Sequence, residues 1–244
     1  MSTALGLRAP AALTPTETPL TAAEVRALVE RAVANQHRND EAVNLYERRE
    51  HRMAWKTEEQ QKVEEDKVFR VVPTGTGVIR VVLAERGQPT PPAEVRKQLQ
   101  YVEQALVWAL DPRESRQKSR VEKFDKRQAE RRETVDAVLA AYTFTYLGRE
   151  RRNGRELVQL RLDPRPDYKH TSRATHMLAH AKATVWIEPQ AGQLARIEAE
   201  LERDFNVGGG SLGRVYKGGR FVMEQAPVEN GVWLPVEISY NFRG

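Results

Sequence analysis

The sequence predicts an α+β fold that is mainly β: a curved antiparallel sheet carrying helices on one side. Three observations predict it. From Ala183 to Arg243 the chain reads as strand after strand with short turns, and no strand–helix alternation of the kind a parallel sheet needs interrupts it. Two Asn-Gly pairs, Asn153-Gly154 and Asn230-Gly231, each lie between β-forming runs, the strongest short-range hairpin signal. Clear amphipathic helical stripes occupy two stretches, one after Thr21 and one after Pro91-Pro92.

In chain order, residues 1–19 read as a flexible leader of Ala, Pro and Thr, without the basic and apolar regions of a signal peptide. Residues 20–244 read as one domain with a helical insert at about 92–141. Thr21-Ala22-Ala23-Glu24 is a capping box, and Val25, Leu28, Val29, Ala32 and Val33 follow at helical spacing, so a helix is expected to end near His37 to Asp40. From Val43 the period shifts towards two, and Val43, Leu45, Met53 and Trp55 predict a long first strand, charged on its other face through Glu47 and Arg49. Lys67–Val72 and Val78–Leu83 complete a meander, joined by a turn from Pro73 to Gly77.

In the insert, Val95, Leu99, Val102, Leu106 and Leu110 step by four and three, widened by Tyr101 and Trp108. Arg113 to Glu133 carries nearly balanced charges of both signs and reads as a solvated helix rather than a nucleic-acid arm; Val135, Val138 and Leu139 return it to the core. Tyr142–Leu147 and Leu157–Leu162 are strands, Tyr168 to His180 is irregular or briefly helical, and Ala183–Glu188 is a strand. Gln193 to Phe205 fits either period, and the turns around it favour a strand. Arg214–Gln225 and Val232–Tyr240 close the sheet.

Composition sets the outer limits. The chain has 244 residues, 40% hydrophobic and 30% charged, with a formal charge of +5. A pI near 9.5 permits an anionic partner without requiring one. The absence of cysteine excludes disulfides, thiolate-held metals and a thiol nucleophile.

Several motifs invite chemistry and lose it in context. Gly208 to Val215 matches a glycine-rich phosphate loop, yet the residues after it are β-like and no kinase motifs follow, so a β-turn or bulge is expected. His176 and His180 are four apart with His170 near; no H-E-x-x-H exists, and surface or half-buried histidines are the expected reading. No G-x-S-x-G elbow occurs. Trp55, Trp108, Trp186 and Trp233 sit in apolar segments, with core packing expected for each and a pocket-lining role for one or two.

Two strings carry a resemblance. Val185-Trp186-Ile187-Glu188-Pro189 followed by Gly192-Gln193-Leu194, and Glu229-Asn230-Gly231-Val232-Trp233-Leu234-Pro235, look like strand-and-turn motifs of the bacterial lipoprotein-carrier (LolA/LolB-like) superfamily. The element order from Leu20 to Phe242 is similar as well. The resemblance implies a strongly curved antiparallel sheet, an incomplete β-barrel, with helices covering its concave face and an acyl-chain cavity between them. It departs from the family in its longer charged helical insert and in lacking a lipobox cysteine.

These readings lead to an expected function: a non-enzymatic cell-envelope protein, periplasmic or outer-membrane-associated, binding a lipid, a lipoprotein acyl chain or another hydrophobic ligand. The expected lining is Val95, Leu99, Val102, Leu106, Val185, Trp186, Ile187 and Trp233. No catalytic residue, metal or cofactor is expected. The expected partners are the hydrophobic ligand or an acylated protein, an envelope protein and a transient membrane contact, with no nucleic acid expected. The alternatives are an interaction module with a closed groove and, last, a nucleic-acid binder resting on Arg149, Arg151, Arg152 and Arg155; no stacking aromatics accompany those arginines.

Overall fold

The computed structural model describes residues 18–55, 63–110, 115–207 and 213–242. The chain is α+β, with antiparallel sheets of four and six strands, a two-stranded ribbon and three long helices. Among the described residues the strands do not close into a barrel. The chain divides into two compact units: Met1–Asn39 with Arg131–Gly244, and Asp40–Glu130.

Helix α1 (Ala22–Ala42) starts at the expected box. The Thr21 N–H donates to Glu24 Oε2 at 2.8 Å and the Glu24 N–H donates to Thr21 Oγ1 at 3.3 Å. These bonds from Thr21 hold the Glu24 carboxyl below its usual pKa range. The helix runs beyond Asp40, and this corrects the expected first strand. Val43 to Leu45 form its closing turn: the Leu45 N–H donates to Ala42 O at 2.8 Å and Asn44 Nδ2 to Asp40 O at 2.9 Å. Those local bonds satisfy carbonyls at the helix end, so the strand period cannot begin until Arg48.

In the Asp40–Glu130 unit, β1 (Arg48–Trp55), β2 (Val63–Pro73), β3 (Val78–Glu85) and β4 (Gln88–Pro89) pair in sequence order as the expected meander. Phe69, Val71 and Val81 are buried, while the charges pair across strands, as in Arg70–Glu47 at 2.7 Å and Arg80–Glu50 at 3.1 Å. Helix α2 (Pro92–Leu110) packs on β3, burying Val102 and Ala105, and Gln98 Oε1 accepts from the Val82 N–H at 2.7 Å. The last turns of α2 leave Leu106, Val107 and Leu110 exposed. Trp55 is also exposed, against expectation: it ends β1 beside a register shift, with Val63 opposite rather than a core. Trp108 is half-buried beneath the Arg120 guanidinium. Helix α3 (Ser115–Ala141) begins in this unit and ends in the other.

The other unit is built on β5 (Tyr142–Arg152), β6 (Arg155–Pro164), β7 (Ala181–Glu188), β8 (Gln193–Leu201), β11 (Arg220–Pro227) and β12 (Trp233–Asn241), in the order β12-β11-β8-β7-β6-β5. Both Asn-Gly turns are left-handed at both residues, Asn153 at φ 49 and Gly154 at φ 78, Asn230 at φ 56 and Gly231 at φ 72. That is the turn whose twist matches a hairpin. Gln193–Leu201 is a strand, as expected, but it ends at Leu201; β9 (Phe205–Val207) pairs with β10 (Gly213–Val215) as a separate ribbon. The expected Arg214–Gln225 strand is interrupted between β10 and β11 by a turn with Gly218 at φ 85. The expected glycine turn at 208–212 lies outside the described residues. Between β6 and β7, α4 (Arg173–His176) and a 3-10 turn (Met177–Ala179) form the brief helix, capped by Ser172 and Thr175.

Tyr142, where α3 gives way to β5, is buried and its hydroxyl donates to Ala181 O at 3.0 Å. Burial, then proximity to Tyr168, raises its pKa well above the ordinary tyrosine value of about 10. The stability this contributes is complete below the unfolded pKa of about 10 and is lost as pH climbs towards the raised folded value. Between those limits the parent should lose about 1.4 kcal/mol per pH unit relative to Tyr142→Phe, read from urea melts at pH 9 to 11.

Candidate functional site: the apolar face of the six-stranded sheet

Strand registers carry one row of directly opposed residues across all six strands. It runs Tyr146, Leu160, Val185, Ile197, Met223, Ile238. A second row runs Phe144, Leu162, Ala183, Ala199, Phe221, Tyr240. Opposed residues share a face, so these twelve positions make one apolar surface. The intervening row, Thr145, Arg161, Thr184, Glu198, Val222, Ser239, is polar but for Val222 and belongs to the other face.

Helix α1 covers the first part of this surface. Val25, Leu28, Val29 and Ala32 are buried in one cluster with Val158, Leu160, Leu162, Ala183, Val185 and Ile187, and Phe144, Tyr146, Ile197 and Ala199 pack against it. Each large aliphatic side chain buried there contributes about 1.5–3 kcal/mol. The space under this part of α1 is filled: Val158 and Leu160 have no exposed surface.

The second half of α1 is held differently, by buried amides. Asn35 Nδ2 donates to Ala191 O and Gly192 O, both at 2.7 Å. Asn39 Nδ2 donates to Gln193 Oε1 at 2.9 Å, and Asn39 Oδ1 accepts from the Trp233 N–H at 3.0 Å. Gln225 Nε2 donates to Gln36 Oε1 at 3.1 Å. These bonds fix α1 to the β7–β8 turn and the β11–β12 hairpin. Gly192, at φ 64, allows the approach, since a Cβ there would stand 3.0 Å from Arg31 Cβ. Nothing in the sequence pattern separates such amides from solvent-facing ones, so the signal was invisible.

The cluster under α1 does not reach the last two strands. Phe221 is half-buried and Met223 is buried, while on β12 Ile238 is 54% and Tyr240 65% exposed. Val236 on the same strand and Phe242 just beyond its end are exposed as well, and the Tyr240 and Phe242 rings stack at 6.2 Å. Phe242 packs against Gly219, where a Cβ would come within 2.6 Å of its ring. The sequence showed Ile238 and Tyr240 alternating but could not show which face they would share.

The expected lining residues fall in several places. Val95, Leu99, Val102 and Leu106 belong to α2, in the Asp40–Glu130 unit. Val185, Trp186, Ile187 and Trp233 belong to the other unit. There Val185 and Ile187 lie in the core under α1, whereas Trp186 and Trp233 form a separate cluster with Leu157 and Ala195. The Trp186 indole donates to Glu150 Oε2 at 2.7 Å, and Arg155 stacks over Trp233 at 5.1 Å. Beside this cluster is a concavity of ≈ 360 Å³ lined by Arg152, Arg155, Arg196, Glu224 and Trp233; another, of ≈ 560 Å³, is lined by Glu133, Asp136, Arg165, Tyr168 and Lys169. Neither has an α1 residue in its wall. Among the described residues no helix is long and apolar enough to cross a membrane. Comparison with protein-family models, curated proteins and solved structures gives no match to this chain.

Proposed function

We propose that the protein is a non-enzymatic binder of a lipid or lipoprotein acyl chain, held on the β11–β12 end of the apolar face. One observation carries this reading: the apolar rows continue through Phe221, Met223, Ile238 and Tyr240 after the core under α1 has ended. Ile238 and Tyr240 stand in water at a cost of about 25 cal/mol per Å² of apolar surface, so a ligand that covers them has a driving force. An acyl chain suits a strip of this kind because each methylene it buries contributes about 0.8 kcal/mol and no polar group need be matched. The two strings that resemble lipoprotein carriers support a periplasmic or outer-membrane-associated setting. The same resemblance supports a curved half-barrel with its helices on the concave side.

The filled interface under α1 favours a second reading, an interaction module whose groove is closed. One titration separates them. A dansyl-labelled fatty acid should bind the purified chain with enhanced emission, and Ile238→Asp with Tyr240→Asp should weaken it at least about tenfold, a loss of about 1.4 kcal/mol. Ser239→Asp, on the polar face, should leave it unchanged. A silent probe, together with no extractable lipid by native mass spectrometry, would select the interaction module.

A further inference from the structure

A second site is suggested by the turn between β6 and β7, independently of the apolar face. His176 Nε2 and His180 Nε2 stand 3.2 Å apart. Two imidazole nitrogens bound to one cation at about 2.0–2.1 Å are separated by roughly 3.0–3.4 Å when the bond angle is roughly 95–110°. The pair already has that spacing. The turn that carries it is anchored: Thr175 is fully buried, Leu178 sits in the core cluster, and the Ser172–Thr175 capping box closes its start. Ring contacts hold the imidazoles themselves. His176 lies 4.3 Å from the His170 ring and edge-on to His180, and His180 stacks on Phe205 at 6.0 Å. A preorganised pair loses little freedom on binding.

We propose that His176 and His180 together bind a borderline divalent transition cation, of the Zn²⁺, Ni²⁺ or Cu²⁺ class, through their Nε2 atoms. Imidazole suits these ions, whereas Mg²⁺ and Ca²⁺ require oxygen ligands. At 3.2 Å one Nε2 can donate a hydrogen bond to the other, and a cation bound by both would displace that proton. Among the described residues no third imidazole or carboxylate joins the pair, so water or a small ligand completes the coordination. His180 Nδ1 makes no hydrogen bond, and its ring is oriented by stacking instead of by a second partner. The site is therefore open and exchangeable.

Isothermal titration of the whole chain with Zn²⁺, Ni²⁺ and Cu²⁺ salts tests this. The expected result is one saturable site, tightest for Cu²⁺, with no response to Mg²⁺. His176→Phe keeps a ring against His170 and Phe205 but removes both nitrogens; it should fold as the parent does and bind at least about tenfold more weakly. On the parent, Zn²⁺ should shift the ¹⁵N imidazole signals of His176 and His180 and leave those of His37 and His51 in place. Failure of the parent to bind, unaltered binding by His176→Phe, or shifts confined to the other histidines would each overturn the assignment.

Discussion

Leu160→Ala should lower the stability of the chain by about 3 kcal/mol, within the 2–5 kcal/mol typical of a fully enclosed aliphatic side chain. Leu160 is at the centre of the first apolar row, opposed by Tyr146 on one side and Val185 on the other, with no exposed surface. The loss combines the transfer energy of the missing methyl groups with the cavity left between the sheet and α1, whose two attachments limit collapse. Thr145→Ala, an exposed change on the polar face of the same strand pair, should stay within about 0.5 kcal/mol. Urea melts followed by circular dichroism give both values. A cost below about 1 kcal/mol for Leu160→Ala would mean that the interface under α1 is loosely filled. The ligand site would then extend beneath the helix.

The parts of the fold legible in the sequence are those set by neighbouring residues. The Asn153-Gly154 and Asn230-Gly231 turns, the Thr21–Glu24 box and the Val25–Ala32 stripe each depend on a few adjacent positions, and each is where the sequence places it. Val43 and Leu45 misled because their strand-like spacing competes with the last carbonyls of α1, which local hydrogen bonding satisfies first. The apolar face was half legible. Val185 and Ile187 were chosen as lining and do lie on it, but Trp186, between them, points to the opposite face, as strand alternation requires. Ile238 and Tyr240 needed six inter-strand registers to be placed, and no local pattern contains those registers. The amides of α1 were unreadable for a related reason. Asn35, Gln36 and Asn39 in the second half of the helix give no local sign of burial, because their partners come from distant strands and their turns.

Asn39→Asp changes one atom and should cost about 2–4 kcal/mol at neutral pH. The retained oxygen can still accept from the Trp233 N–H, but the new one faces Gln193 Oε1 where Nδ2 donated at 2.9 Å. Two acceptors then oppose each other in a buried place, and a carboxylate also loses its hydration. Rotating the Gln193 amide does not relieve this cheaply, because Gln193 Nε2 already donates to Gly231 O at 3.1 Å. The position is in the last turn of α1, where the helix dipole further disfavours a negative charge. These effects raise the folded pKa of the introduced carboxyl above the unfolded value of about 3.9. Its protonated form can donate to Gln193, so the penalty should be smallest below that unfolded pKa and grow as pH rises through the folded one. Urea melts of parent and variant at pH 4 and pH 7 measure the gap at both ends. A narrower gap at pH 4 would show that Asn39 acts as a donor locking α1 to the β7–β8 turn. An equal gap at both would place the loss in packing, and α1 would then be free to shift as a lid over the apolar face.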